Sequence, residues 1–342
     1  MMLMHEPQQR TGLRHLMRLT DDRGIIEHAQ YSHPRFESGY CTDDNARLLI
    51  VAARHHCNCP DAQTLARIAA RFLLDAQRHD GLIHNRMSFE RIWQDVPSAD
   101  DCWGRAVWAF GEAVEKSSDT EVRNRCYEAF RISTVARPSS LRSLCFAVLG
   151  AAAILKVEPL NTEARVLLQD AQSVFAFYKC SGPQWSWIEP RLSYANAAIP
   201  EAMMACGVAL NDSALVGRGL RLLRWLVEKE TLGDHLSVTP VGGRGPNDVA
   251  PQFDQQPIEV AAIADAAMRA GDITGDDYWD DVVHMAGNWF LGNNDSGCHM
   301  IDLDTGGGYD GLHHDGVNLN QGAESTLAML STMQHRSATW LV

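Results

Sequence analysis

Two kinds of apolar segment alternate along the chain. In the first kind one face is apolar. Leu65, Ile68, Ala69, Phe72, Leu73 and Ala76 fall on a single helical stripe, while Arg67, Arg71 and Arg78 lie off it. That spacing predicts an amphipathic helix with one buried face. Similar segments run over roughly 119–132, 161–179, 214–230 and 276–291. In the second kind, small apolar residues occupy nearly every position: 143–155 (SLCFAVLGAAAIL), 195–210 (ANAAIPEAMMACGVAL) and 258–271 (IEVAAIADAAMRAG). A helix that is apolar all round is buried all round. Further candidates at about 9–19, 42–56, 98–116 and 320–333 bring the total to roughly twelve helices, or six hairpins.

Two concentric rings satisfy this alternation. One-faced helices form the outer ring and small-residue helices the inner ring, where Ala and Gly permit close approach. The expected fold is therefore all-α, an (α/α)6 barrel occupying 1–342 as one domain. A two-layer bundle or helical solenoid is the competing architecture, and the lack of a strict 34- or 40-residue period weighs against a solenoid. Connections from inner to outer helices are short, as at Cys59-Pro60-Asp61 and Asn211-Asp212. Those from outer to inner are long: about 20–41, 81–97, 181–194, 232–253 and 292–319. Long loops in a compact domain usually carry function, and these all open at the N-termini of the inner helices.

Each long loop ends in a polar cluster. They are GYCTDDNAR at 39–47, DDCWGR at 100–105, WSWIE at 185–189 with Tyr194, Asn196 and Glu201, FDQQPIE at 253–259, and GYDGL at 308–312 with NLNQGAEST at 318–326. The mixture suits a sugar. Aromatic faces stack on a pyranose, and carboxylates and amides bind its hydroxyls. Hydrolysis of a glycosidic bond also requires two carboxyl groups flanking it. The candidate catalytic acids are Asp101 and Glu189, with Asp44 and Asp310 as alternates. Trp103, Trp187 and Tyr309 are the candidate sugar platform. His28, Asp43, Arg105, Tyr194, Asn196, Gln255, Gln256 and Glu324 are candidate binding residues. The plainer reading of the acids is helix capping. Asp43 and Asp44 fall in a first turn, Ser98 to Asp101 forms a loose capping box, and Asp254 stands as an N-cap before Pro257. Caps alone do not bring Trp and Tyr with them. Trp225, Trp279 and Trp289 sit in amphipathic patterns and read as core.

Composition narrows the partners. The 342 residues carry 43 acidic and 30 basic side chains, a net charge of −13, which disfavours a broad nucleic-acid footprint. No apolar run is long enough for a membrane span, and the polar first ten residues lack a secretory h-region. With nine cysteines, an odd number, the expectation is reduced thiols in the cytoplasm. Neither metal nor cofactor is expected. Cys57-Asn58-Cys59 is too tight for a zinc knuckle, and His55-His56 and His313-His314 lack the i, i+4 spacing of a helical zinc site. The run from Asp302 lacks a calcium loop's later ligands, and Gly242-Gly243-Arg244-Gly245 is not followed by the Lys-Ser/Thr of a phosphate loop.

The run HLMRLTDDRGIIEHAQYSHPRFESGYCTDDNARLLI, followed by DDCWGRAVWAFG, WSWIEPRLSYANAAIPEAM, DQQPIEVAA, GGGYDGL and NQGAESTLA, resembles a bacterial domain of the six-hairpin glycosidase superfamily, of the type often fused C-terminally to glycosyltransferases. The resemblance spans about Leu13 to Leu330. It implies the (α/α)6 fold and a carbohydrate or glycan ligand, with a separate glycosyltransferase as a potential partner, and it carries over no catalytic residues. The function read from the sequence is a glycoside hydrolase. The alternatives are a non-catalytic glycan-binding partner of a glycosyltransferase, or a sugar epimerase, which would use a pair of histidines as acid and base.

Overall fold

The computed structural model describes residues 5–55, 59–178, 182 and 185–339. Side-chain placement within the first helix begins at Gly12 and within the last ends at His335. His56, Cys57 and Asn58, named above, lie outside the described residues. Twelve α-helices occur among these residues: α1 His5–Leu19, α2 Thr42–Arg54, α3 Pro60–Ala76, α4 Asp101–Lys116, α5 Thr120–Ser133, α6 Leu141–Val157, α7 Thr162–Phe177, α8 Ala198–Leu210, α9 Ser213–Lys229, α10 Pro257–Thr274, α11 Tyr278–Phe290 and α12 Ala323–Thr339.

The even-numbered helices form a closed ring. α2 packs on α4, α4 on α6, α6 on α8, α8 on α10, α10 on α12, and α12 on α2 again. The odd-numbered helices lie outside, each packed on an adjoining inner helix. This is an (α/α)6 toroid. Burial follows the sequence pattern. α6 is buried at every position from Arg142 to Leu155, and α8 from Ala198 to Gly207. Outer α3 buries one face: Leu65, Ala69, Phe72, Leu73 and Ala76 of the predicted stripe, together with Ala62, Ala66 and Ala70, while Ile68 is half-buried.

Glycine sets the tightest seam of the inner ring. A Cβ on Gly104 would run into the Ser143 backbone, one on Gly111 into the Gly150 carbonyl, and one on Gly150 into the Val107 carbonyl. α4 and α6 therefore meet backbone to backbone, which no larger residue would allow. The far end of the ring is closed by charge. Arg54 donates to Glu112 and to Asp265, each at 2.7 Å, and Arg269 donates to Glu201 at 3.0 Å.

The loops follow the predicted asymmetry with one exception. The α5–α6 connection is outer-to-inner yet runs only from Thr134 to Ser140. Among the described residues, short antiparallel strands lie in four of the others, the α7–α8 connection having none. Tyr40–Cys41 pairs with Arg86–Met87, joining the first long loop to the second. Gly311–His313 pairs with Gly316–Asn318 in the last. α8 begins three residues later than its apolar run predicts. Ala195 has a positive φ of 44°, and Glu259 accepts hydrogen bonds from the backbone N–H groups of Ala195 and Asn196. Those amides are held across the ring instead of entering the helix.

A second buried carboxyl pins another loop. Glu230 accepts from the N–H and the hydroxyl of Thr239. Burial pushes its pKa up to about 8 from the ordinary 4.5, with Glu259 adding repulsion. Because the folded value is raised, the stabilisation is fully present below pH 4.5 and is lost as pH rises toward 8. Glu230→Gln keeps the shape and removes the titration. Its melting temperature, relative to the native protein, should improve between pH 5 and pH 8 and level off above that. A margin that does not change with pH would contradict this assignment.

Candidate active site

Five of the inner helices point their N-termini or preceding loops into one cavity of about 540 Å³, and the sixth, α6, supports its wall through Ser140. α2 contributes Asp43, Asp44 and Arg47, and α4 contributes Asp101 and Arg105. Gln256 and Ile258 come from the start of α10, and Gly322, Glu324 and Ser325 from the start of α12. The loops add Glu27, His28, Cys41, Arg86, Tyr194, Asp254, Asp310 and Asn318. The positive ends of several helix dipoles thus meet a mostly acidic lining.

The charges are arranged in pairs. Arg47 bridges Asp44 at 2.7 Å and Glu324 at 2.6 Å. Arg86 is bound to Glu27. Asp43 lies 3.5 Å from the Nε of Arg105. Asp310 accepts hydrogen bonds at one oxygen, Oδ1, from the Gly322 N–H and the Ser325 hydroxyl, both at 2.8 Å. Asp101 accepts from the Ser140 hydroxyl at 3.2 Å. Burial raises the pKa values of Asp101, Asp254 and Asp310 above the ordinary carboxylate value. It pushes Asp44 up to about 7, against the pull of Arg47.

Of the residues singled out in the sequence, the cavity gathers Asp44, Asp101, Asp310, His28, Asp43, Arg105, Tyr194, Gln256 and Glu324. It does not gather Glu189, which is held by Arg142 Nη2 at 2.8 Å and Nη1 at 3.1 Å. Trp103 and Trp187 are fully buried. The Trp103 indole donates to the Ser133 carbonyl beneath α5, and Trp187 stacks on Trp225. Tyr309 packs against the core, so Tyr194 is the aromatic side chain of the lining. Asn196 donates to Glu259, and Gln255 donates to Asp295 while its backbone pairs with Leu312. In each case a polar or aromatic cluster near the mouth braces the loop from behind.

Asp254 also departs from expectation. Gln256 is the N-cap of α10, which frees Asp254 to line the cavity, where it stands 3.5 Å from His313. Glu27 and Arg86 were not legible as site residues. Glu27 had only its neighbour His28 as a signal. Arg86 reaches the cavity through the strand pairing with Cys41, which no local pattern announces.

Glu27, Cys41 and Asp44 present ligand atoms within 4.8 Å of one another. Each is already engaged: Glu27 by Arg86, and Asp44 by Arg47 and by the Cys41 thiol, which donates to it at 3.1 Å. The described cysteines are free thiols. No described helix is long and apolar enough to cross a membrane.

No family model matches the chain, and no curated protein matches its sequence. Solved structures do match in fold. A sugar epimerase from a ruminal bacterium superposes with a TM-score of 0.72 over 98% of both chains at 13% identity. Cellobiose 2-epimerase from Bacillus thermoamylovorans B4167 gives 0.69 over 96% of this chain and 98% of its own, at 12% identity. The cellulase Cel9M of C. cellulolyticium, solved in complex with cellobiose, gives 0.65 over 98% and 99%, at 7% identity. The chain thus shares with these solved structures its fold, the (α/α)6 toroid.

Proposed function

We propose that this protein is a glycoside hydrolase whose active site is the cavity at the N-terminal mouth of the inner ring. The observation that carries the reading is the convergence of buried Asp44 and half-buried Asp101, Asp254 and Asp310, all with raised pKa values, on one sugar-sized space. Glycosidic bond cleavage needs one carboxyl group protonated and another ionised at the same pH. Asp101 is the proposed general acid, raised by burial and flanked by Asp43. Asp310 is the proposed base or nucleophile. Its Oδ1 is fixed by the Gly322 N–H and Ser325 at the start of α12, and those bonds favour the ionised form. Its other oxygen is left to meet water or the anomeric carbon. Asp44, tied to Arg47, holds Glu324 in register through the same guanidinium. Tyr194 supplies the stacking face.

The epimerase alternative calls for two imidazoles facing one substrate. Among the described residues that line the cavity, His28 is the one imidazole, which favours hydrolysis. A panel of oligosaccharides and nitrophenyl glycosides tests the proposal. The expected result is new reducing ends, or released nitrophenol, from a restricted set of linkages. A purified protein that binds several of these compounds but cleaves none would return the reading to a glycan-binding role.

A further inference from the structure

The interior arginines differ in how their donors are met. Arg54 reaches Glu112, Asp265 and Ser331. Arg142 reaches Glu189, Ser193, Asn196 and the Tyr194 carbonyl. Arg244 reaches the carbonyls of Lys229 and Ser237. Arg105 is the contrast. Its side chain is only 6% exposed, and among the described residues the carboxylate within ion-pair distance is Asp43, 3.5 Å from Nε, with Glu324 and Asp101 near enough to act on its charge. Its guanidinium lies over the Phe146 ring at 4.1 Å. Among the described residues no acceptor is placed to take a hydrogen bond from it, and the nearby Asp43 Oδ1 is itself buried without a hydrogen-bond partner. A guanidinium offers five N–H donors and stays charged. With no protein acceptor to meet them, the donors of Arg105 are left to whatever occupies the cavity it lines.

Arg105 forms part of the cavity wall and of the small apolar chamber below it, so an incoming ligand meets it at the bottom of the site. The acids around it are largely committed elsewhere. Glu27 is held by Arg86, and Asp44 and Glu324 by Arg47. Burial holds Asp101 toward its protonated form. Burial, with Arg47 adding repulsion, lowers Arg105 itself to about 10, so it remains cationic at neutral pH.

We propose that Arg105 receives an anionic substituent on the sugar, so that the substrate is an acidic sugar and not a neutral one. This rests on the cavity being a sugar site. The planar fork of the guanidinium matches a carboxylate or a phosphate monoester through paired hydrogen bonds. Hexuronic acids and hexose phosphates share this chemistry, and the two are separable by experiment.

The test is a calorimetric titration of the intact protein with D-glucuronate, D-galacturonate, glucose 6-phosphate and the matching neutral sugars, D-glucose and D-galactose. The expected result is that one acidic class binds at least tenfold more tightly than its neutral counterpart. Uronate preference would assign a carboxylate, and phosphate preference a phosphate. Arg105→Gln should abolish that preference while neutral-sugar binding stays. Arg105→Lys, which keeps the charge without the fork, should retain part of it and serves if the Gln variant does not fold. Equal binding of acidic and neutral sugars, or an unchanged preference in both variants, overturns the proposal. Binding of no sugar overturns it together with the sugar-site reading. The proposal is separable from the hydrolase reading, because acidic-sugar binding should persist in a protein that proves to cleave nothing.

Discussion

Asp101→Asn and Asp310→Asn each lower turnover by about 10²–10⁴-fold on a cleaved substrate, the range for losing a positioned acid or base. The two losses should differ in kind. Asp101→Asn removes the proton donor, so substrates with a good leaving group such as nitrophenol should lose far less than natural glycosides. Asp310→Asn removes the group that delivers water or attacks, and should affect both classes alike. Substrate binding should change little in either variant, because Asn keeps the hydrogen bonds that Ser140, Gly322 and Ser325 make with these side chains. The measurement is kcat and KM for a nitrophenyl glycoside and an oligosaccharide of the same sugar. Wild-type kcat in both variants would move the chemistry to Asp44 or Asp254.

Gly150→Ala should destabilise the protein by about 3 kcal/mol, at the upper end of the usual cost of overpacking. The added methyl would overlap the Val107 carbonyl, and backbone on both sides of the seam must move to admit it. Gly217→Ala is the control. Gly217 lies within α9, where a Cβ would meet only the flexible end of Arg221. There the change should stabilise by roughly 0.5–1 kcal/mol, the helix preference of Ala over Gly. Urea unfolding of both variants, compared at equal m values, reads the difference. A neutral Gly150→Ala would mean that α4 and α6 are not packed backbone to backbone.

The toroid was readable because each helix type leaves its own signature. α3 shows a stripe and α6 shows none, and an inner and an outer ring accommodate both. The location of the site was readable for a related reason: the long loops fall on one side of the alternation. The roles of single residues were less so. Trp103 sits two residues from Asp101 in sequence, but a helix turns about 100° per residue. Asp101 therefore faces the mouth while Trp103 faces α5. Glu189 carried a suggestive context in WSWIE, yet its fate was set by Arg142, 47 residues away and already buried. Asp254 was hidden by a proline rule that assigned the cap two residues too early. Pairings across the ring, such as Glu259 with the Ala195 amide, have no local trace.

Proton NMR of the reaction in D2O tests the central claim most directly. A hydrolase breaks the bond at the anomeric carbon and leaves the C2–H of the sugar untouched. An epimerase or isomerase removes that proton and returns solvent deuterium. The account predicts a new reducing-end anomeric signal with full retention of the C2 proton; in Asp101→Asn the anomeric signal from a natural glycoside is lost and the C2 proton is still retained. Loss of the C2 proton signal from a free reducing sugar, with no bond cleaved, would contradict it.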